Sequence, residues 1–260
     1  MSPRDRESVQ GLKRGFAVVK AFSADARELT ITDVAARTGL PRAVARRYLL
    51  TLEELGCVSH AGSAFTLTPR LLDLGVTYLS TLPVTRVAQP FMERIIDTLH
   101  DSTSIGVLDR HDCVCVARLT AKRNMTFDVA VGSRLPAHAT SMGKVLLAHL
   151  PPAALDAYFA GGPLERLTKR TICDEARLRR TLDEVCTRGW ALADQESEDG
   201  VRVVAAPVFD RANEVHSALA VGSHAARVPL SVLKRDYLPV VIDAARQISR
   251  ALGASVPKRE

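Results

Sequence analysis

Residues 30–56 limit the possible folds of this chain more than any other segment. Their sequence, TITDVAARTGLPRAVARRYLLTLEELG, contains two helical stretches separated by a tight turn. Residues 30–38 are predicted to form the first helix, with Thr32 as the N-cap and Gly39 as the residue that ends it. Pro41 suits the first position of the next helix, where its missing N–H costs nothing. A short helix, a turn and a longer helix are typical of a helix-turn-helix.

The longer helix has one apolar face. Its apolar side chains recur at the i, i+3, i+4, i+7 spacing and are predicted to be buried: Ala45, Tyr48, Leu49 and Leu52. The side chains at the start of the helix that lie off this face are Arg42, Ala43, Arg46 and Arg47. An arginine can bind O6 and N7 of guanine together, and a small side chain allows close approach to a base. The alternative is an ordinary solvated helix face.

Residues 57–69, CVSHAGSAFTLTP, are predicted to form two short strands around a turn at 61–63. A helix predicted over 9–22 precedes the helix-turn-helix. Helices followed by a small hairpin predict a winged helix-turn-helix, in which the hairpin is the wing. Thr32, His60 and Ser63 are then candidates for contacts with DNA phosphates.

Charge and composition agree with an anionic partner for this region. The chain of 260 residues carries a net charge of +6, and residues 1–70 hold 11 Lys/Arg against 7 Asp/Glu. Most of the excess positive charge therefore lies in about a quarter of the chain, which favours nucleic-acid binding there. The apolar runs are too short for a membrane span and the N-terminus MSPRDRESVQ is polar. We expect a cytoplasmic protein with no membrane partner.

The remainder of the chain mixes strands and helices without a strict βαβ alternation, which predicts an α+β domain. Strands are predicted over 103–109, 113–119, 125–132, 190–194, 201–209 and 215–223, and helices over 84–100, 141–150, 175–188 and 231–252.

Five stretches of the sequence match a known pattern: LKRGFAVVKAF (12–22), residues 29–58, FTLTPRLLDLG (65–75), RLPAHATSMGKVLLAHL (134–150) and DQESEDGVRVVAAPVFD (194–210). Together they resemble the IclR family of bacterial transcriptional regulators. The resemblance implies a winged helix-turn-helix DNA-binding domain at 1–68, a linker helix at 69–82 and a GAF-like α/β effector-binding domain at 83–255.

The resemblance also implies a function. It predicts a sequence-specific regulator that binds double-stranded operator DNA as a homodimer or tetramer and is controlled by a small organic-acid effector. The stretch GSRLPAHATS, residues 132–141, resembles most the family branch that controls protocatechuate, 4-hydroxybenzoate and β-ketoadipate pathway genes. The expected effector is then an aromatic acid or a β-ketoadipate-type dicarboxylate. The alternative is a repressor that answers a keto acid or a sugar acid.

The start of the helix predicted at 141–150 is a candidate effector contact. Its backbone N–H groups and nearby hydroxyls can receive a carboxylate, and the residues concerned are Thr140, Ser141, Met142 and Gly143. Thr140 or Ser141 is expected to cap the helix, and Gly143 to let a ligand approach the backbone; the alternative is simple capping by Ser141 without a ligand. Arg134 is a candidate for pairing with the effector carboxylate, or else for a salt bridge at the surface or at a dimer interface. His138 is a candidate donor to a phenol.

The resemblance adds further effector contacts from the second signature and the strands around it. These are Val107, Asp194, Val203, Ala205, Ala220, Gly222 and Ser223. Their mostly apolar character favours an aromatic ring over a small polar keto acid.

No catalytic residue, metal or cofactor is predicted. The sequence has no HExxH, Walker A, GxGxxG or nucleophile-elbow motif, and its five cysteines include no CxxC pair. Cys113 and Cys115 are expected to be buried on one face of a strand. A metal- or thiol-dependent enzyme or sensor is therefore only a remote alternative.

Overall fold

The computed structural model describes residues 8–121 and 129–255. The first half of the strand predicted at 125–132 lies outside the described residues, and its second half, 129–132, is not a strand. The chain divides into two compact units, with the boundary between Thr81 and Leu82. Among the described residues, none of the helices combines the length and the apolar composition that crossing a membrane requires.

The N-terminal unit begins with helices and ends with a hairpin and a further helix. In chain order its elements are α1 (Gln10–Lys20), β1 (Glu28–Thr30), α2 (Ile31–Thr38), α3 (Arg42–Glu54), β2 (Val58–Ala61), β3 (Ala64–Leu67) and α4 (Leu72–Ser80). The β2–β3 hairpin is the predicted wing, and β1, which was not predicted, pairs antiparallel with β3. α4 falls within the segment 69–82 assigned to the linker; the division at 1–68, 69–82 and 83–255 stays a prediction.

The start of α2 differs from the prediction. Its N-cap is Thr30 and not Thr32, because Thr30 and Asp33 satisfy each other's backbone donors: Asp33 N donates to Thr30 Oγ1 (3.3 Å) and Thr30 N donates to Asp33 Oδ2 (2.9 Å). Thr32 lies within the first turn, exposed. α3 begins at Arg42, with the extended Pro41 as its N-cap, one residue later than predicted.

The core of the N-terminal unit confirms the apolar face predicted for α3. Ala45 and Leu49 are fully buried, and Tyr48 and Leu52 pack against the same cluster. The arginines of α3 therefore lie on its exposed side. α1 contributes Val18 to this core.

The C-terminal unit is a sheet with helices packed against it. Its elements are α5 (Pro83–Leu99), β4 (Thr103–Asp109), β5 (Asp112–Leu119), β6 (Arg134–Pro136), α6 (Ser141–Ala148), α7 (Pro152–Ala160), α8 (Glu175–Arg188), β7 (Ala191–Asp194), β8 (Val201–Phe209), β9 (Val215–His224), α9 (Leu230–Val232) and α10 (Leu238–Ala251). The sheet order is β6–β5–β4–β9–β8–β7 and all these pairings are antiparallel, which confirms the α+β prediction. α7 was not predicted, and a π-helical turn at Leu233–Tyr237 interrupts the predicted last helix.

α6 covers one face of this sheet. Met142, Val145 and Leu146 pack against Ala205 and Ala220. α10 contacts β8 and also packs against α5. Because successive residues of a strand face opposite sides, each central strand has one row of side chains beneath α6 and another on the opposite face of the sheet.

Candidate functional site

An open groove in the N-terminal unit lies between α2, α3 and the β2–β3 hairpin. It is bordered by Thr32, Arg42, Arg46, His60 and Ser63. Five of the seven residues predicted to contact DNA thus come together, although they belong to separate elements. The other two, Ala43 and Arg47, are exposed on α3.

The arginines of α3 are available to a ligand. Among the described residues, no hydrogen bond or ion pair holds the guanidinium groups of Arg42, Arg46 or Arg47, and all three side chains are exposed. His60 differs, because its Nδ1 is hydrogen-bonded to Glu53 and its ring packs 5.3 Å from that of Phe65. The groove therefore offers free cations from α3 and a fixed imidazole from the wing.

A cavity of about 110 Å³ lies in the C-terminal unit, between the start of α6, the sheet and the 195–200 segment. It is smaller than an engineered protein cavity of about 150 Å³ that holds benzene, so it suits only a small ligand. Its lining combines apolar side chains, such as Ala193, Val203 and Ala220, with an equal number of polar or charged ones.

Small side chains on the sheet make room for this cavity. Val203 pairs with Ala193 on one side and Gly222 on the other, and Ala220 borders the same space. A methyl group added to Gly222 would meet only the Val203 side chain at 3.5 Å and the Arg202 carbonyl at 4.0 Å. Val203, Ala220 and Gly222 thus line the cavity where the sequence places effector contacts.

The N-terminal end of α6 also borders the cavity. Of the two candidate caps, Thr140 is the one that caps the helix, since Gly143 N donates to Thr140 Oγ1 (3.0 Å). Ser141 is the first helical residue, and its buried hydroxyl has no hydrogen-bond partner among the described residues. Thr140, Ser141 and Met142 line the cavity, as their predicted role requires.

Gly143 does not leave space for a ligand. A Cβ at this position would lie 2.1 Å from the carbonyl oxygen of Ala137. The glycine therefore allows the turn before α6 to pack against the helix. The prediction that it admits an effector is wrong.

Arg134 and His138 lie outside the residues that line the cavity. The exposed Arg134 guanidinium pairs with Asp109 (2.8 Å) and Asp112 (2.9 Å), whose hydrogen bonds raise its pKa. This is the surface salt bridge that was the alternative for Arg134. His138 is buried, its Nε2 lies 2.8 Å from the Glu165 carbonyl oxygen, and burial lowers its pKa. Neither side chain is placed to contact a ligand in the cavity.

Four further predicted contacts also lie outside the cavity lining. Val107 and Ser223 are on the opposite face of the sheet, because they are an odd number of positions from the lining residues on their strands. Asp194 is paired with Arg202 across the β7–β8 ladder. Ala205 is fully buried under α6, farther along the face that carries Val203.

One side chain that lines the cavity is positively charged and was not predicted from the sequence. It is Arg118 of β5. Simple alternation would place Arg118 and Cys115, three positions apart, on opposite faces. The β4–β5 register shifts between Ile105 and Gly106, which inserts one extra residue into β5. This bulge turns Arg118 toward the cavity, opposite Ser104.

Arg118 is suited to bind an anion. Its Nη1 donates to Ser104 Oγ (3.0 Å), and burial lowers its pKa from the ordinary value. An arginine remains protonated despite such a shift. Among the described residues no carboxylate pairs with it. A half-buried guanidinium of this kind can bind a carboxylate through two parallel hydrogen bonds.

A buried ion pair holds the segment that closes the cavity. Lys144 of α6, with 1% of its side chain exposed, pairs with Glu196. The Glu196 carbonyl also accepts a hydrogen bond from Thr171 Oγ1 (2.7 Å), and the adjacent Ser197 and Glu198 border the cavity. Burial lowers the pKa of Lys144, and the Glu196 carboxylate opposes this shift. The sequence did not indicate this pair, because a lysine in a short helix is usually exposed.

The groups that a metal- or thiol-dependent protein would need are poorly placed. Among the described residues, the group with metal-ligand spacing is Asp210, Glu214 and His216, on the turn between β8 and β9, where two of the three are exposed. Cys113 and Cys115 are buried as predicted, and burial raises the pKa of Cys113 to about 12. Cys113 is therefore protonated at neutral pH and unreactive.

Two protein-family models match the chain. Residues 11–62 match the IclR helix-turn-helix domain, and residues 76–250 match the C-terminal domain of the bacterial transcriptional regulator IclR. Together the matches include the residues that line the cavity and most of those that border the groove, but not Ser63.

Individual proteins are similar over nearly the whole chain. The Pca regulon regulatory protein of Pseudomonas putida is 39% identical over 249 residues, which is 95% of this chain and 86% of that protein. The p-hydroxybenzoate hydroxylase transcriptional activator of Acinetobacter baylyi is 37% identical over 250 residues, 94% of this chain and 92% of that protein. The crystal structure of an IclR homolog from Microbacterium hydrocarbonoxydans complexed with 4-hydroxybenzoate superposes with a TM-score of 0.82 at 26% identity, covering 95% of this chain and 100% of that one.

Proposed function

Because this chain belongs to the IclR family of bacterial transcriptional regulators, we propose that it controls genes of aromatic-compound catabolism by binding operator DNA and a small aromatic acid. One observation carries the proposal: a single chain combines α3 arginines that have no partner among the described residues with a small cavity that Arg118 borders. The proposal includes no catalytic step, cofactor or metal, and it places the protein in the cytoplasm.

For DNA binding, α3 is the recognition helix and its N-terminal half enters the major groove. The side chains nearest the base edges are Arg42, Ala43, Arg46 and Arg47. Thr32, His60 and Ser63 lie around the same groove and contact phosphates. The free guanidinium groups support this assignment, because they need no internal partner to be displaced before they bind DNA.

For effector binding, the cavity favours an aromatic acid. Ala193, Val203 and Ala220 offer apolar contact to a ring, and Arg118 offers a charge to its carboxylate. The names of the two relatives and the 4-hydroxybenzoate complex of the homolog support the same class of ligand. A ring-cleaved dicarboxylate of the β-ketoadipate type is the second candidate, because the N-terminal end of α6 also attracts negative charge.

Exposed apolar side chains support a homodimer or tetramer. Leu12 and Phe16 of α1 are 63% and 52% exposed, and Leu72, Leu74 and Val76 of α4 are also exposed. Apolar surface of this kind is normally covered by a partner. A symmetric dimer presents two recognition helices to a palindromic operator, and sedimentation equilibrium of the full chain measures this state.

The DNA-binding proposal is tested by fluorescence anisotropy with duplexes from the region upstream of the protein's own gene. We expect tight binding to at least one duplex, weaker binding to a scrambled duplex of equal composition, and a steep loss of affinity with salt. Equal affinity for operator and scrambled DNA contradicts the proposal.

The effector proposal is tested by thermal unfolding with 4-hydroxybenzoate, protocatechuate, adipate and pyruvate. A ligand of the folded protein raises the melting temperature with its concentration. We expect the aromatic acids to give the largest shift. A shift with pyruvate alone would instead favour the keto-acid alternative.

A further inference from the structure

Two polar groups line the cavity without an oppositely charged partner or a full set of hydrogen bonds among the residues that the structure describes. Arg118 comes from the sheet, where its hydrogen-bonded partner is the neutral Ser104 hydroxyl. Ser141 comes from α6, and its hydroxyl has no hydrogen-bond partner among the described residues. Both residues line the same cavity. A ligand that supplies partners to both would remove two unfavourable features of the empty site.

The two groups differ in the ligand atoms that they favour. Arg118 carries a full positive charge and two parallel N–H donors, which match a carboxylate. The end of α6 carries the equivalent of about half a charge, and the nearby Lys144 is already neutralised by Glu196. A carboxylate is therefore held more strongly by Arg118 than by the helix end.

Ser141 is better suited to a hydroxyl group of the ligand. Its hydroxyl both donates and accepts a hydrogen bond, and it is not needed to cap α6, because Thr140 already does so. A buried hydroxyl without a partner is unfavourable. A phenolic hydroxyl can satisfy it in either direction, whereas an unsubstituted ring cannot.

We infer that this site selects a hydroxylated aromatic acid by its two polar groups, with Arg118 binding the carboxylate and Ser141 binding the ring hydroxyl. This inference rests on the proposed effector function and assigns the specificity-determining residues of that site.

The test combines side-chain changes with matched changes in the ligand, measured by isothermal titration calorimetry on the full chain. The probes are 4-hydroxybenzoate, 4-hydroxybenzamide, which lacks the charge, and benzoate, which lacks the ring hydroxyl. We expect Arg118→Gln to weaken 4-hydroxybenzoate by roughly tenfold to a hundredfold and to leave 4-hydroxybenzamide nearly unchanged. We expect Ser141→Ala to weaken 4-hydroxybenzoate by about threefold to tenfold and to leave benzoate unchanged.

Arg134→Gln is the matched control, because Arg134 is an arginine of the neighbouring strand that pairs with Asp109 and Asp112 outside the cavity lining. It is expected to change none of the three affinities. Arg118→Lys keeps the positive charge and replaces Arg118→Gln in the test if Arg118→Gln does not fold. It should still bind the acid better than the amide, but more weakly than the unaltered protein does.

Each outcome decides one point. If the unaltered protein binds 4-hydroxybenzoate but Arg118→Gln weakens the acid and the amide equally, the carboxylate assignment is wrong. If Ser141→Ala weakens benzoate as much as 4-hydroxybenzoate, the hydroxyl assignment is wrong and the carboxylate lies at the start of α6. If the unaltered protein binds none of the probes, the aromatic-acid part of the proposed function fails together with this inference.

Discussion

The residues of the groove in the N-terminal unit could be predicted from the sequence better than those of the cavity in the C-terminal unit. Most side chains of the groove come from α3 or from the hairpin that follows it, so helical periodicity and a turn signal suffice to place them. The cavity takes side chains from β4, β5, β7, β8, β9, α6 and the 195–200 segment. A site built from local contacts can be predicted from spacing alone, whereas one built from distant strands depends on register.

Gly143→Ala should give the largest effect, because it tests whether this glycine is required by packing or by a ligand. The added Cβ would lie 2.1 Å from the Ala137 carbonyl oxygen, so the turn or α6 must move. We expect the variant to lose roughly 3 kcal/mol or more in the free energy of unfolding. Urea denaturation measures this free energy. An unchanged value would contradict the packing of the Ala137 carbonyl against Gly143.

Arg46→Ala and Arg42→Ala test the groove. Each should weaken operator binding by about 1–3 kcal/mol if the side chain contacts a base edge, with a smaller effect on scrambled DNA. Equal losses on both duplexes would assign the arginine to phosphate contacts. Unchanged operator affinity for both variants would show that these α3 arginines are exposed to solvent and do not contact the operator.

Gly222→Ala tests the cavity without disturbing the fold. The new methyl has ordinary contacts, the nearest at 3.5 Å, and points into the space assigned to the ligand. We expect affinity for 4-hydroxybenzoate to fall roughly tenfold, while the free energy of unfolding changes by less than about 0.5 kcal/mol. Undiminished effector affinity in this variant would place the ligand elsewhere.

Thr30→Ala against Thr32→Ala gives the smallest effect and tests the corrected start of α2. Thr30 forms a capping box with Asp33, so its loss should destabilise the protein by about 1 kcal/mol. Thr32→Ala should cost less than about 0.5 kcal/mol. A larger loss of stability for Thr32→Ala than for Thr30→Ala, measured by thermal unfolding, would support Thr32 as the N-cap.

The sequence predicted the helix-turn-helix, the wing and most strands of the sheet, because periodicity and turn residues report local structure. It misplaced one helix cap at Thr32, since Thr30 and Asp33 form a reciprocal pair that a single good capping residue does not reveal. It also placed Arg134 and Val107 in the cavity, although the first is paired at the surface and the second faces the other side of the sheet.

Arg118 shows why the rest could not be predicted. Its direction depends on a β-bulge opposite Ile105 and Gly106, and nothing in the residues CVCVARL indicates where an extra residue is inserted. The buried Lys144 depends likewise on Glu196, which is 52 positions away in the chain. Both features become visible only when the strands and the loop are in place.

The most direct test of the account is one anisotropy titration of an operator duplex, repeated with saturating 4-hydroxybenzoate and with Arg118→Gln. We predict sequence-specific, salt-dependent binding whose affinity the ligand shifts in the unaltered protein, and a ligand effect that is lost at the same concentration in Arg118→Gln. Identical curves with and without a ligand that binds the protein, or equal binding to scrambled DNA, would contradict an effector-controlled operator-binding protein.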